Sequence, residues 1–300
     1  MIDASVIVSV YNQEKYILEC LNSILLQEVD FNYEVIIAND MSTDNTLRII
    51  KDFLKLAPDN FKLLNNVSNL GANGNYISAH NLAVGEIVYH IDGDDIMKPG
   101  KLQKQYDLFR SDKNVNLVFH KATFFNDDLS YISNTGFFSK LPLIEFNRSD
   151  LALWGTVAVH SSYSYRRSSR VTRFRTEFME WFFAMDSLTN GGIGIYLNES
   201  LVLYRTNANG QSYSGTSKGR VKAYNIYVND LLELFYSNED LRPNLYSNML
   251  VSFMGMFRYG RYLNIRDIKF LIANLKYLSI KNVRETLFIR SNVAPEKRFQ

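Results

Sequence analysis

SVIVSVYNQEKYILECLNSILLQEVDFNYEVIIAND (residues 5–40) decides the fold class. The β-branched run SVIVSV (5–10) leads into QEKYILECLNSILLQ (13–27), where Ile17, Leu18, Leu21, Ile24 and Leu25 recur at helical spacing. YEVIIA (33–38) is a second apolar run without polar alternation, which suits a strand covered on both faces. The pattern then repeats. DNTLRIIKDFLKLA (44–57) reads as a helix and FKLLNN (61–66) as a strand; NYISAHNLAVG (75–85) reads as a helix stopped by Gly85, and EIVYHI (86–91) as a fourth strand. Strands alternating with amphipathic helices predict a Rossmann-like α/β fold, a mostly parallel sheet flanked by helices. In such sheets ligands bind beyond the carboxyl ends of the strands. Asp40 stands at one such end, and HIDGDDIMKPGKLQKQ (90–105) puts Asp92, Asp94 and Asp95 at another.

Beyond residue 105 the alternation loosens. NLVFHKATFF (116–125) reads as a strand, FNDDLSYISNTG (125–136) as a polar turn into another, and VAVHSSYSYR (157–166) as a half-buried strand. TEFMEWFFAMDSLTNGG (176–192) reads as a helix closed by glycines, and from about residue 216 the pattern is helical throughout. The expected organisation is therefore one α/β domain over 1–215 and a helical extension over 216–300. With 300 residues, 46% hydrophobic and 21% charged, the chain can bury a full core, and it shows neither repeats nor low-complexity segments. A single cysteine, Cys20, excludes an intramolecular disulfide and suits a reducing compartment. The first residues, MIDASVIVSVYNQEKY, lack the basic and cleavable regions of a signal peptide. The longest apolar run, MLVSFMGMF (249–257), is about half of the ~20 residues a membrane span needs. A cytoplasmic protein, soluble or peripheral at the inner membrane face, is expected.

Three carboxylates within residues 92–95 need an explanation. Aspartates at strand ends often close a turn or cap the next helix, and Pro99 suits a first helical position with Lys98 as its cap. That accounts for one of them. Neighbouring carboxylates ~5 Å apart repel by roughly 1 kcal/mol in water and several at a protein site. A divalent cation removes that cost, and carboxylates without nearby Cys or His ligands select Mg²⁺ or Mn²⁺. Such sites leave coordination positions for substrate phosphates. The chain contains neither G-x-x-x-x-G-K-[ST] nor a G-x-G-x-x-G after its first strand, where YNQEKY (11–16) stands instead. A phosphoaspartyl nucleophile would stand where Tyr11 and Asn12 do. What remains is a nucleotide lying across several strand ends with its diphosphate on the metal.

Four blocks carry a family resemblance. VIVSVYNQEKYILECLNSILLQ (6–27), YEVIIANDMSTDNT (33–46), NLGANGN (69–75) and HIDGDDIMKPGKLQKQ (90–105) resemble, in order and spacing, family-2 glycosyltransferases with the GT-A fold. The last block is closest to the branch that writes this stretch as GDD followed by K-L-Q-x-Q, and WFFAMDSLTNGGIGIYLNESLVLYR (181–205) extends the likeness. The resemblance implies an inverting, Mn²⁺- or Mg²⁺-dependent transfer from a UDP-sugar to a hydroxyl of a bacterial surface glycan, free or lipid-linked. Ser9 and Tyr11 match residues that line the nucleotide base, and Asp40 matches an acceptor for the uracil N–H. Asp92 and Asp94 match the D-x-D element that contacts ribose and metal. Asp95 is a further acidic residue, with either Asp94 or Asp95 as the closer metal ligand. Asp44 reads as a helix N-terminal residue, and Asn69 and Gly71 fit either the donor loop or a tight turn.

Glu180, in F-M-E-W-F-F, matches the family's general base, which takes the acceptor proton as the hydroxyl attacks. Its aromatic neighbours predict a raised pKa. Glu177, three residues away at helical spacing, and Asp186 are its competitors. Where many relatives carry a histidine two residues after Tyr204-Arg205, this chain has Asn207. His160 reads as either an acceptor-site or a structural residue. Residues 241–300 hold 11 Lys and Arg against 3 Asp and Glu, a net of +8 in a chain of net +2. With Phe253, Phe257, Tyr259, Tyr262, Phe270, Tyr277, Phe288 and Phe299, this tail suits either adhesion to inner-leaflet anionic lipid or a solvated helical cap. Nucleic acid is not an expected partner, since no binding motif accompanies the charge. Two other functions fit parts of the pattern. A sugar nucleotidyltransferase would need a Gly-rich basic loop after the first strand; a non-catalytic glycan-binding subunit with a vestigial site would suit Asn207 but not an intact D-G-D-D.

Overall fold

In a computed structural model, residues 2–129, 132–172, 175–206, 217–258 and 264–294 are described. The N-terminal half alternates as the apolar pattern requires. Its elements are β1 (Ala4–Val10), α1 (Ile17–Leu25), β2 (Tyr33–Asn39), α2 (Thr46–Leu54), β3 (Phe61–Asn65), α3 (Gly71–Leu82) and β4 (Ile87–Asp92). There follow β5 (Ile96–Met97), α4 (Lys101–Ser111), β6 (Val115–Phe125), β7 (Ile132–Asn134), β8 (Leu143–Phe146), α5 (Arg148–Trp154), β9 (Ser164–Arg166), α6 (Glu180–Asp186) and β10 (Ile193–Arg205). Helices α7 (Ser217–Ser237), α8 (Arg242–Arg258), α9 (Ile265–Ala273) and α10 (Ile280–Val293) are the last elements among the described residues.

Among the described residues the strands form one sheet in the order β3-β2-β1-β4-β9-β6-β10-β5, with β7 on β6 and β8 on β10. The pairs β3/β2, β2/β1 and β1/β4 are parallel, as is β6/β10. β9 lies antiparallel between β4 and β6. Both faces are covered, which is why β1 and β2 read as unbroken apolar runs. Val6, Val8 and Val10 pack on Ile17, Leu21 and Ile24 of α1, whereas Ile7, Ile36 and Ala38 face Tyr76, Ile77 and Ala79 of α3. Helices α5 to α8 and α10 bury Leu151, Trp181, Leu231, Leu245 and Ile289 in that second layer. The terminal carbonyls of α5 need partners outside their own helix. Asn248 Nδ2 donates to Ala152 O (2.7 Å), Thr286 Oγ1 to Leu153 O (3.1 Å) and Arg290 Nε to Trp154 O (2.8 Å). The C-terminal helices are thereby tied to the sheet layer. Part of the basic tail is consequently structural, and Phe270 is buried within it.

Four expectations need correction. VAVHSSYSYR forms a strand only over Ser164–Arg166; His160–Ser162 is a 3₁₀ turn. Serine side chains there engage in place of a ladder: Ser162 Oγ donates to Val159 O (2.6 Å), and Ser161 Oγ to Asp95. Helix α6 starts at Glu180, not near 176, because Met179 is extended and its N–H donates to Asp230 Oδ2 (2.7 Å). Helix α4 starts at Lys101 after Gly100, whose φ of +79° breaks any earlier helical turn. Lys98 is thus no cap, and its Nζ donates to Thr123 and Ser200. Helix α3 ends at Leu82, before Gly85, where a Cβ would lie 2.3 Å from the Ala4 backbone.

Candidate active site

Register alone brings the C-terminal ends of β1, β2 and β4 together: Val10 pairs with Asn39 and Ser9 with Asp92. A cleft of about 700 Å³ opens over those ends. The loop after β1 is stapled to the loop after β2. Asn12, at φ +52°, donates its N–H to Ser42 Oγ (3.0 Å) and accepts from Thr43 N (2.8 Å), while Gln13 N donates to Thr46 Oγ1 (2.7 Å). Asp44 accepts from Glu14 N (3.1 Å) and Thr46 N (3.0 Å), which places it at the start of α2.

One end of the cleft is an asparagine-lined pocket around Asp40. Its Oδ1 accepts from Asn66 Nδ2 (3.0 Å) and Leu70 N (2.8 Å); its Oδ2 accepts from no described residue. Asn69 holds the loop shut by donating to Asp40 O (3.0 Å) and accepting from Gly71 N (3.1 Å). Ser9 and Tyr11 line the same end, and Ser9 Oγ is buried without a hydrogen-bond partner. Backbone and side-chain partners thus orient a carboxylate with one oxygen free, which suits recognition of a planar N–H donor.

At the other end the three aspartates have separate surroundings. Asp92 accepts from His90 Nε2 (3.1 Å). Burial alone pushes its pKa up, but that hydrogen bond together with the neighbouring His90, His160 and Lys101 outweighs burial and holds it below the usual range. Asp94 faces the cleft, and burial and the Asp92 charge push it up to about 6. Asp95 is 1% exposed; Ser161 Oγ donates to its Oδ2, and Arg205 N to its Oδ1 (2.8 Å). Burial, then the charges of Asp94 and Asp92, push Asp95 well above its ordinary value. The nearest arginine relieves this only in part. Arg205 Nη1 and Nη2 are committed to Asp127 and Glu19 (2.6 Å each). Lys101 and Arg205 offset part of this charge, and an all-oxygen donor set that still holds Asp94 and Asp95 above their ordinary values fits a hard divalent cation. His90, Asp92 and His160 also have ligand atoms within 4.8 Å of one another. Both His90 nitrogens are already engaged, however, by Asp92 and by His80.

Glu180, the first residue of α6, faces the same cleft, and burial pushes it up to about 7. Its Oε1 lies 3.7 Å from His160 Nδ1. The competing carboxylates lie elsewhere. Glu177 precedes the helix and reaches Lys222 (3.8 Å); Asp186 accepts from Val171 N (2.9 Å) and Thr172 N (3.0 Å). Asn207 lies outside the described residues.

Sequence reasoning missed the supports of the acidic turn. Lys101, wholly buried, donates to Ser161 O, and Gln105 Nε2 donates to Ser162 O (3.0 Å) and Ser164 Oγ (2.9 Å). Burial lowers Lys101 to about 7. The K-L-Q-x-Q run therefore clamps the 160–164 segment against the aspartates. The available signal was polar residues, His90 and Lys101 among them, at positions that helix and strand periodicity assign to the core.

Comparisons with known proteins bear on the family and the fold. Residues 5–173 match the family model for Glycosyl transferase family 2. An uncharacterized protein of Mycobacterium tuberculosis is 30% identical over 217 residues, covering 70% of this chain and 60% of its own length. The putative glycosyltransferase EpsE of Bacillus subtilis is 37% identical over 116 residues, 38% of this chain and 41% of that protein. The chain thus spans about 60% or less of these curated relatives. Among solved structures, S. aureus TarS 1-349 in complex with UDP-GlcNAc superposes with a TM-score of 0.67 at 20% identity, over 97% of this chain and 84% of that one. The mannosyltransferase PcManGT of Pyrobaculum calidifontis, in complex with GDP-Man and Mn²⁺, gives 0.61 at 16%, over 96% and 84%.

Proposed function

The chain belongs to glycosyl transferase family 2 and has the GT-A fold, and from that premise we propose that it transfers a sugar from a UDP-sugar to a hydroxyl of a cell-surface glycan, with inversion. In this reading residues 1–215 form the catalytic unit and 216–300 its helical extension. The observation that carries the proposal is the placement of Glu180, with a pKa near 7, in the same cleft as the free Asp40 oxygen and the Asp92–Asp94 turn. Tyr11 and Ser9 bracket the base, and Asp40 Oδ2 accepts the uracil N–H. Asp92 contacts the ribose. Asp94 holds Mn²⁺ or Mg²⁺, while Asp95 keeps the turn in place. An ion held by Asp94 would supply Lewis-acid neutralisation of the leaving diphosphate. Glu180 accepts the proton of the attacking hydroxyl, and a single displacement inverts the sugar carbon. The surface-glycan acceptor class is supported by relatives such as the minor teichoic acid biosynthesis protein GgaA of Bacillus subtilis, 30% identical over 122 residues.

Thermal unfolding with UDP, GDP, CDP and ADP, each with and without Mn²⁺, tests the donor assignment. A ligand at 100 times its dissociation constant adds ~2.7 kcal/mol of stability. Stabilisation by UDP that requires Mn²⁺ is expected. Preference for another nucleotide would overturn the role of Asp40, and no shift with any of them would remove the enzyme reading.

The extension adds a location. No helix among the described residues is long and apolar enough to cross a membrane. Yet the exposed residues between 265 and 291 include Ile265, Ile272, Leu275, Leu278, Ile280, Leu287 and Phe288 with Arg266, Lys269, Lys276, Lys281 and Arg284, while the two carboxylates of this stretch, Asp267 and Glu285, are buried and half-buried. Ile265, Lys269 and Ile272 share one side of α9 at helical spacing, and Ile280, Arg284 and Leu287 one side of α10. Cations mixed with large apolar groups suit peripheral contact with anionic lipid, at ~1 kcal/mol per cation. Salt-sensitive sedimentation with phosphatidylglycerol vesicles, weakened by Phe288→Asp, is the expected result. Equal binding to neutral vesicles, or none, would remove the membrane role.

A further inference from the structure

Behind the acidic turn runs a buried chain of hydrogen bonds whose direction can be worked out. Arg170 Nη1 donates to Tyr165 OH (3.1 Å) and, more weakly, to Tyr76 OH (3.3 Å). Tyr165 OH lies 2.7 Å from His80 Nδ1, His80 Nε2 3.0 Å from His90 Nδ1, and His90 Nε2 3.1 Å from Asp92 Oδ1. The two ends differ in kind. A guanidinium only donates, and an ionised carboxylate only accepts.

That difference orients every link. Tyr165 accepts from Arg170, so its own O–H needs an acceptor, and His80 Nδ1 is the one within reach. His80 is then protonated at Nε2 and donates to His90 Nδ1, which leaves His90 protonated at Nε2 and donating to Asp92. The reverse order would leave the Tyr165 O–H buried without an acceptor, at a cost comparable to losing a hydrogen bond. Stacking holds the ring planes: Tyr76 on His80 and His160 on His90, each with centroids 3.8 Å apart. Burial lowers the pKa of His80 far below its ordinary value, in keeping with a neutral ring.

We propose that Arg170, Tyr165, His80 and His90 are positioning residues that fix the tautomers of the two histidines and so hold the Asp92 carboxylate by one oxygen, leaving the other for the donor nucleotide. The role of Asp92 rests on the function proposed above; the tautomer order does not. Two readouts therefore separate the claims. In long-range ¹H–¹⁵N spectra of the nucleotide-free protein at about pH 8, both histidines should be the Nε2–H tautomer. Tyr165→Phe removes the proton donated to His80 Nδ1 and should move that nitrogen's ¹⁵N resonance downfield, to the range of an acceptor without a hydrogen bond, while the Asp92 carboxylate keeps His90 protonated at Nε2. In the transfer assay the same variant should raise the donor KM about 10-fold with a smaller change in kcat, the size usual for a partner one step removed from a ligand-binding group. Arg170→Lys, still a pure donor, should keep the wild-type His80 Nδ1 resonance, whereas Arg170→Met, which frees the Tyr165 hydroxyl from its fixed donor, should move it in the same direction as Tyr165→Phe. This pair decides the matter should Tyr165→Phe fail to fold. An Nδ1–H His90 in the wild type, or an unchanged His80 Nδ1 resonance in both Tyr165→Phe and Arg170→Met, would overturn the relay. A moved His80 Nδ1 resonance with an unchanged donor KM would overturn the positioning role. A wild-type protein that binds no nucleotide yet shows the tautomer order would refute the function while leaving the relay intact.

Discussion

Replacing Glu180 by Gln is expected to lower kcat/KM by roughly 10²–10⁴-fold, the contribution of a positioned general base, while the donor dissociation constant stays unchanged. Glutamine preserves shape and the apolar wall but cannot take a proton. Wild-type kcat/KM should also depend on pH in a set direction. Burial raises Glu180 to about 7, so the carboxyl is protonated and idle below that pH and ionised above it. The rate therefore climbs through pH 7 and levels off on the alkaline side, a limb that Glu180→Gln should lack. Measured transfer across pH 5.5 to 9 checks both statements. Full transfer by the glutamine variant would move the base role to His160, whose Nδ1 lies 3.7 Å from the Glu180 carboxylate. It would not move to Glu177 or Asp186, which are tied to Lys222 and to the backbone at Val171 and Thr172.

Replacing Asp94 by Ala should abolish Mn²⁺-dependent stabilisation by UDP and reduce transfer by more than the roughly 10–100-fold typical of residues supporting a ligand set. The fold should not suffer. Burial, and then the Asp92 charge, push Asp94 up to about 6, so its removal takes away a buried charge and relieves like-charge repulsion, and should hold or slightly raise the melting temperature without ligand. Asp95→Ala should behave in the opposite way. It strips Ser161 Oγ and Arg205 N of their acceptor and should cost ~1–3 kcal/mol of stability before any nucleotide is added. Melting curves of the two variants with and without UDP–Mn²⁺ distinguish a ligand from a structural support. A variant lacking Asp94 that is still stabilised by UDP only when Mn²⁺ is present would transfer the metal role elsewhere in the turn.

The asymmetry between these neighbours shows where reading the sequence stopped. D-G-D-D placed three carboxylates at a strand end and established that the end is costly, but Asp94 and Asp95 are equivalent as letters. What separates them is the Arg205 backbone, 110 positions further on, and the 3₁₀ turn at Ser161, 66 positions away. Likewise, three-residue spacing put Glu177 and Glu180 on one helical face, and only the Met179–Asp230 hydrogen bond, across 51 positions, starts the helix at Glu180. The misread strand at 157–166 has the same origin. Its alternation was real, but buried serines satisfied their hydroxyls locally and through Asp95, which no pattern of apolar period can register.

By itself the sequence determined the alternating sheet and helices of the first hundred residues, the strand ends over which the cleft opens, and the acidic character of one of them. These are set by how each segment buries its apolar side chains, a property written in consecutive residues. The tertiary structure alone decided which aspartate of the turn is fully buried, that Lys101 and Gln105 brace the turn, and that Arg170 reaches Asp92 through Tyr165 and two histidines. Each of those depends on a polar group finding a partner far along the chain, and a buried donor or acceptor is stable only where folding happens to bring that partner.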